Sequence, residues 1–141
     1  HRVDRRQRQM CIRDRSWRLY SMDKRAKTIF CDIDGTLIEH NPPIDTVKPD
    51  YKPSLLPRTL EALLEWDKKG YNIILVSGRR EGARKQTEQQ LSELGIIYDQ
   101  LILGIGGGKR YLINDRKPAN DEDYAIAINI KRNIGIGEID I

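Results

Sequence analysis

Three apolar runs in this chain each stop abruptly at a polar cluster, and that repetition limits the fold more than any other feature. "TIFCDI" (28–33) leads into Asp32 and Asp34, "YNIILVSG" (71–78) into Ser77, Gly78 and Arg79, and "RYLIND" (110–115) ends on Asn114 and Asp115. Short runs rich in β-branched and aromatic residues read as buried strands. Helical patterns fall between the first strands. "RTLEALLEWDKKG" (58–70) puts Leu60, Leu63, Leu64 and Trp66 toward one face and closes on Lys68, Lys69 and Gly70. "REGARKQTEQQLSELG" (80–95) sets Ala83, Thr87, Leu91 and Leu94 at helical spacing before Gly95. "DQLILG" (99–104) and "YAIAINI" (124–130) read as further strands. Alternation of this kind predicts an α/β fold, a central parallel sheet covered by helices. Ligands of such sheets bind beyond the carboxyl ends of the strands. All three polar clusters should therefore meet in one crevice.

The charge of the chain is unevenly placed. Its net charge is +4, yet residues 1–27 carry a balance of +7 and the remaining 114 residues a balance of −3. The leader "HRVDRRQRQMCIRDRSWRLYSMDKRAK" lacks sustained apolar periodicity. It reads as a basic arm for nucleic acid, or as an extension foreign to the protein, since "RQRQMCIRDR" resembles translated adaptor sequence. The second reading is preferred, with residues 1–21 set aside and one domain expected over 22–141. A basic-arm nucleic-acid binder would lose its affinity when residues 1–21 are deleted. Two cysteines, Cys11 and Cys31, make neither a disulfide framework nor a metal pattern. No apolar run reaches the ~18 residues of a membrane span. A reduced, cytoplasmic setting is the expectation.

Three carboxylates converging on one crevice repel one another unless a cation neutralises them. Hard oxygen donors, without His or Cys nearby, point to Mg²⁺ rather than zinc. A carboxylate beside such an ion can attack phosphorus and form an aspartyl phosphate. A second carboxylate two residues on can protonate the leaving group and then activate water. Ser77 would hold a phosphoryl oxygen, and a lysine would offset developing charge.

The chain resembles the haloacid dehalogenase (HAD) superfamily of Mg²⁺-dependent phosphatases over about residues 27–132. "DIDGTL" matches the first motif of that family, "ILVSGR" the second, and the "LIND" ending the fourth. The resemblance implies a three-layer, Rossmann-like sheet. It makes Asp32 the nucleophile and Asp34 the general acid/base. Asp32, Asp115 and the backbone carbonyl of Asp34 become metal ligands, and Ser77, with Gly78 and Arg79 beside it, binds phosphate. Gly35 permits the turn after the strand, and Thr36 orients the loop.

The family's fourth motif often carries two acidic residues, whereas Asn114 stands here before Asp115. Asp121 and Asp123 are placed to help through water. The active-site lysine is either Lys109 or Lys117. Lys109 starts the fourth strand, and six residues of strand span ~20 Å, so Lys117, just past Asp115, is preferred. "GIGGGK" (104–109) lacks the phosphate-loop pattern and precedes a strand, so it reads as a turn. Alternation turns Cys31 away from the nucleophile as a core filler, and His40 reads as a surface residue.

Only about 20 residues, five of them proline, separate Leu37 from the first long helix. No sizeable cap domain is expected, and the open crevice suits a macromolecular end or a small phosphate closed in by a homo-oligomer. "SGRREGARKQTEQQL" resembles the 3′-phosphatase domain of polynucleotide kinases. Arg79, Arg80, Arg84 and Lys85 would meet a phosphodiester backbone or a sugar phosphate. A sugar phosphate, a nucleotide and a polynucleotide 3′-phosphate end remain open as substrates. The rival reading is a non-catalytic domain that keeps the fold and binds phosphate or metal.

Overall fold

The computed structural model describes residues 25–119 and 121–141. The leader expected at 1–21 lies outside these. Strand β1 (Thr28–Asp32) opens the fold, followed by a one-turn helix α1 (Pro43–Thr46) and the long helix α2 (Thr59–Lys68). Strand β2 (Asn72–Val76), a 3₁₀ turn (Glu81–Ala83), helix α3 (Arg84–Glu93) and strand β3 (Gln100–Ile102) complete the regular elements. The sheet is parallel, in the order β1-β2-β3.

Alternation along the strands decides which residues are buried. Ile29 and Cys31, Ile73 and Leu75, and Leu101 share the sealed face. They join Ile33, Leu37 and Ile38, Leu63 and Trp66 of α2, Leu91 of α3, and Ile136 from the C-terminal segment in one cluster. Full burial of side chains such as Leu63 and Trp66 contributes about 1.5–3 kcal/mol each. The opposite face carries Phe30 and Ile102, which stay exposed.

The predicted helical face of α2 is out of phase. Thr59, Leu63 and Trp66 are buried, whereas Leu60 and Leu64 point to solvent. The buried set recurs at i, i+4 and i+7, and the chain enters the helix with the Thr59 hydroxyl donating to the Leu37 carbonyl at 2.9 Å. That buried bond fixes the rotation of the helix. In α3 the predicted spacing holds, with Ala83, Thr87 and Leu91 buried and Leu94 packed against the core.

The strands expected at 110–115 and 124–130 do not form. Tyr111, Leu112 and Ile113 are exposed, as are Ile126 and Ile128. Strand preference expresses packing against a partner, and neither segment has one here. Arg116 instead organises the intervening turn, reaching Asp123 at 2.8 Å and Asp121 at 3.8 Å.

The proline-rich stretch is a loop pinned at its base. Leu56 N–H donates to Leu37 O, and Glu39 N–H to Ser54 O. Apart from α1 it has no helix. Among the described residues no helix is long and apolar enough to cross a membrane. The C-terminal segment is built into the fold. Ile136 is in the core, and Lys69 Nζ and Tyr71 OH both donate to the Ile141 carbonyl.

Candidate active site

Register brings the first two polar clusters together. Asp32 pairs with Val76, so the residues after Asp32 and those after Val76 leave the sheet at the same level. Arg79 therefore meets Asp34. Its Nε lies 2.9 Å from Asp34 Oδ2 and its Nη2 2.8 Å from Oδ1. The Arg79 side chain is 7% exposed and that of Asp34 20%. Such bidentate pairing fixes both groups in one plane. Removing one partner of a buried pair costs ~3–5 kcal/mol. Arg79 Nη1 also donates to Thr87 Oγ1 and Gln90 Oε1.

The acidic turn has a tight backbone. Gly35 sits at φ +85°, where other residues are strained. Its N–H donates to Ile38 O at 2.8 Å, and Thr36 and Leu37 donate to Ile33 O. The Thr36 hydroxyl reaches Asp32 Oδ2 at 3.3 Å. Far along the chain, Asn133 N–H donates to Gly35 O, and Asn133 Oδ1 accepts from His40 N–H. His40, expected at the surface, is partly buried beside this clamp.

Ser77 is 2% exposed. Its N–H is engaged with Ile102 O, and its Oγ accepts from Arg79 N–H at 3.0 Å. Among the described residues its hydroxyl hydrogen has no acceptor. The glycine run packs on this turn: Gly104 N–H donates to Arg79 O at 2.6 Å, and Ile105 N–H to Ser77 O. A side chain at Gly78 would meet Gly106 O at 2.8 Å.

The third cluster stays apart from the other two. Asp115 is largely exposed and accepts from Lys117 Nζ at 3.2 Å. Lys117 also lies 5.2 Å from the Tyr124 ring centroid. Asn114 and Lys109 are exposed, and Asp121 and Asp123 are held by Arg116. Among the described residues no group of three or more His, Cys, Asp or Glu side chains comes together to hold a metal ion. Arg110 reaches Asp32, with Nη1 2.9 Å from Asp32 Oδ1. Sequence reasoning missed it while weighing the neighbouring Lys109.

Cys31 is in the core, its thiol pushed up to about 12 by burial and by the charge of Asp32. The core-filler reading holds. Of the basic cluster on α3, Arg84 is engaged by Glu81, and that hydrogen bond holds the Glu81 carboxyl below its ordinary range. Arg80 and Lys85 remain exposed.

No curated protein sequence matches the chain. Among solved structures, a chain of the Pnkp1/Rnl/Hen1 complex is similar, with a TM-score of 0.50 and 28% identity over 64% of this chain and 32% of that one. A chain of the Pnkp1/Rnl/Hen1 RNA repair complex gives 0.47 and 31% identity over 55% of this chain and 25% of that one. D,D-heptose 1.7-bisphosphate phosphatase from B. bronchiseptica, complexed with magnesium and phosphate, gives 0.41 and 17% over 57% and 51%. The chain thus spans a quarter to a third of the Pnkp1 complex chains it matches. The family model for the HAD superfamily, subfamily IIIB (acid phosphatase), matches residues 3–135. With the parallel sheet and the acidic turn at its carboxyl end, that match over nearly the whole chain makes this protein a member of the HAD superfamily, subfamily IIIB.

Proposed function

We propose that the chain is a Mg²⁺-dependent phosphomonoester hydrolase that works through an aspartyl phosphate on Asp32. One observation carries the reading: Asp32 stands at the carboxyl end of β1, partly open to solvent, with Asp34 two residues on in a fixed orientation. A carboxylate oxygen of Asp32 attacks phosphorus, and the ester bond breaks. Asp34 delivers a proton to the departing oxygen, then takes one from the water that cleaves the acyl phosphate. Arg110 is placed to exchange Asp32 for the incoming phosphoryl oxygens, with Ser77, Gly78 and Arg79 lining the adjoining turn. Lys109 and Lys117 stay in the proposal as cations of the rim.

Mg²⁺ suits the hard oxygen donors of Asp32, Asp34 and Asp115. The side chains as arranged do not fit it, because Arg110 engages Asp32, Lys117 engages Asp115, and among the described residues these carboxylates do not come together as a group.

The substrate class we propose is a sugar phosphate, a nucleotide or a polynucleotide 3′-phosphate end, in a reducing cytoplasmic setting. Support comes from the short segment between β1 and α2, which holds only the one-turn helix α1, and from exposed Arg80 and Lys85. The same engagement of Asp32 and Asp34 by arginines favours a second reading, a domain that binds phosphate without turnover.

One assay separates the two. Phosphate release from p-nitrophenyl phosphate is measured with Mg²⁺ and with EDTA. Wild type should turn over only with Mg²⁺, and Asp32→Asn should abolish release while melting as wild type does. Absence of wild-type turnover across a broad phosphoester panel rejects the enzyme reading.

A further inference from the structure

Arg79 is held from behind as firmly as it holds Asp34 in front. Its Nη1 donates to Gln90 Oε1 at 2.7 Å and to Thr87 Oγ1 at 3.1 Å. Thr87 is 1% and Gln90 9% exposed, an unusual degree of burial for glutamine on a helix. The Gln90 amide has only one orientation here. Its Nε2 donates to Thr46 O at 3.0 Å, so a flipped amide would set NH₂ against a guanidinium and oxygen against a carbonyl. A guanidinium is planar, and fixing its far edge fixes the edge that faces the carboxylate.

We propose that Thr87 and Gln90 are positioning residues that set the Asp34 carboxylate through Arg79. This rests on the reading of Asp34 as the group that moves the proton. Neither residue hydrogen-bonds to Asp34; both reach it through Arg79. Without one acceptor, the guanidinium can tilt about its remaining bonds and carry Asp34 with it. Misplacement of a reacting group by ~1 Å can cost up to ~100-fold in rate.

The test compares Gln90→Leu, Thr87→Val and Thr87→Ser, with Gln89→Leu on the exposed side of α3 as control. Turnover of p-nitrophenyl phosphate with Mg²⁺ is resolved into kcat and KM, with melting recorded for each variant. Gln90→Leu and Thr87→Val should lower kcat roughly 10-fold or more and leave KM within about twofold. Thr87→Ser, which keeps the hydroxyl, should retain wild-type kcat, as should Gln89→Leu. Wild-type kcat in Thr87→Val overturns the proposal, and so does a loss in Thr87→Ser equal to that in Thr87→Val. The threonine pair decides the matter even where Gln90→Leu fails to fold. Asp34→Asn is run alongside: wild-type turnover in that variant rejects Asp34 as the proton carrier, whereas its inactivity beside an unaffected Thr87→Val rejects the positioning role alone.

Discussion

Arg110 crosses 78 positions of sequence to set its Nη1 2.9 Å from Asp32 Oδ1. Lys109, its neighbour, makes no such approach, and Lys117 turns to Asp115. Arg110→Ala is therefore expected to reduce kcat/KM for phosphoester hydrolysis by ~100-fold, the scale of losing one donor to developing charge. Lys109→Ala and Lys117→Ala should each cost less. Steady-state kinetics on the three variants would check the ranking, and a larger loss in either lysine variant would return the role to that lysine.

Gly78 and Gly107 differ in what a methyl group would meet. At Gly78 it would lie 2.8 Å from the backbone oxygen of Gly106, whereas at Gly107 nothing lies within 4 Å. Gly78→Ala should destabilise by about 1–3 kcal/mol, because backbone must shift. Gly107→Ala should leave stability unchanged or raise it by up to ~1 kcal/mol through the unfolded chain. Urea midpoints of the two variants would show the contrast, and equal midpoints would refute the contact.

Cys31 supplies the pH prediction. Its thiol is raised to about 12 from an ordinary 9.0, so the folded state favours the protonated form. The unfolded chain ionises first as pH rises, and stability should decline between pH 9 and about 12. Cys31→Ala should flatten that part of the pH–stability curve while lowering stability elsewhere. At pH 8, iodoacetamide should spare the Cys31 peptide in folded protein and modify it in urea, as peptide mapping would report.

How much of this was legible in the sequence depends on the range of the forces involved. The apolar runs at 28–33 and 71–78 yielded β1 and β2, and parallel register alone then carried Asp32 and Asp34 toward Ser77 and Arg79. The spacing of Ala83, Thr87 and Leu91 showed the inner face of α3, though not that Thr87 would hold Arg79. In α2 five apolar residues in seven left the phase ambiguous, and a buried hydroxyl bond to Leu37 selected Leu63 over Leu60 and Leu64. The segments at 110–115 and 124–130 have strand chemistry without a partner edge, which composition does not reveal. Arg110, Gln90 and Asn133 were invisible for a related reason. Each acts through bonds to residues distant in sequence, and no local pattern records such bonds.

The clamp on the acidic turn has a consequence for the order in which the protein is made. His40 takes its partner from a residue 93 positions later, and Gly35 takes its own from the same Asn133. During synthesis β1 emerges well ahead of Asn133, so the turn beside Asp32 is completed only after Asn133 has followed it. A chain cut short before Asn133 would carry both aspartates and still lack the finished turn.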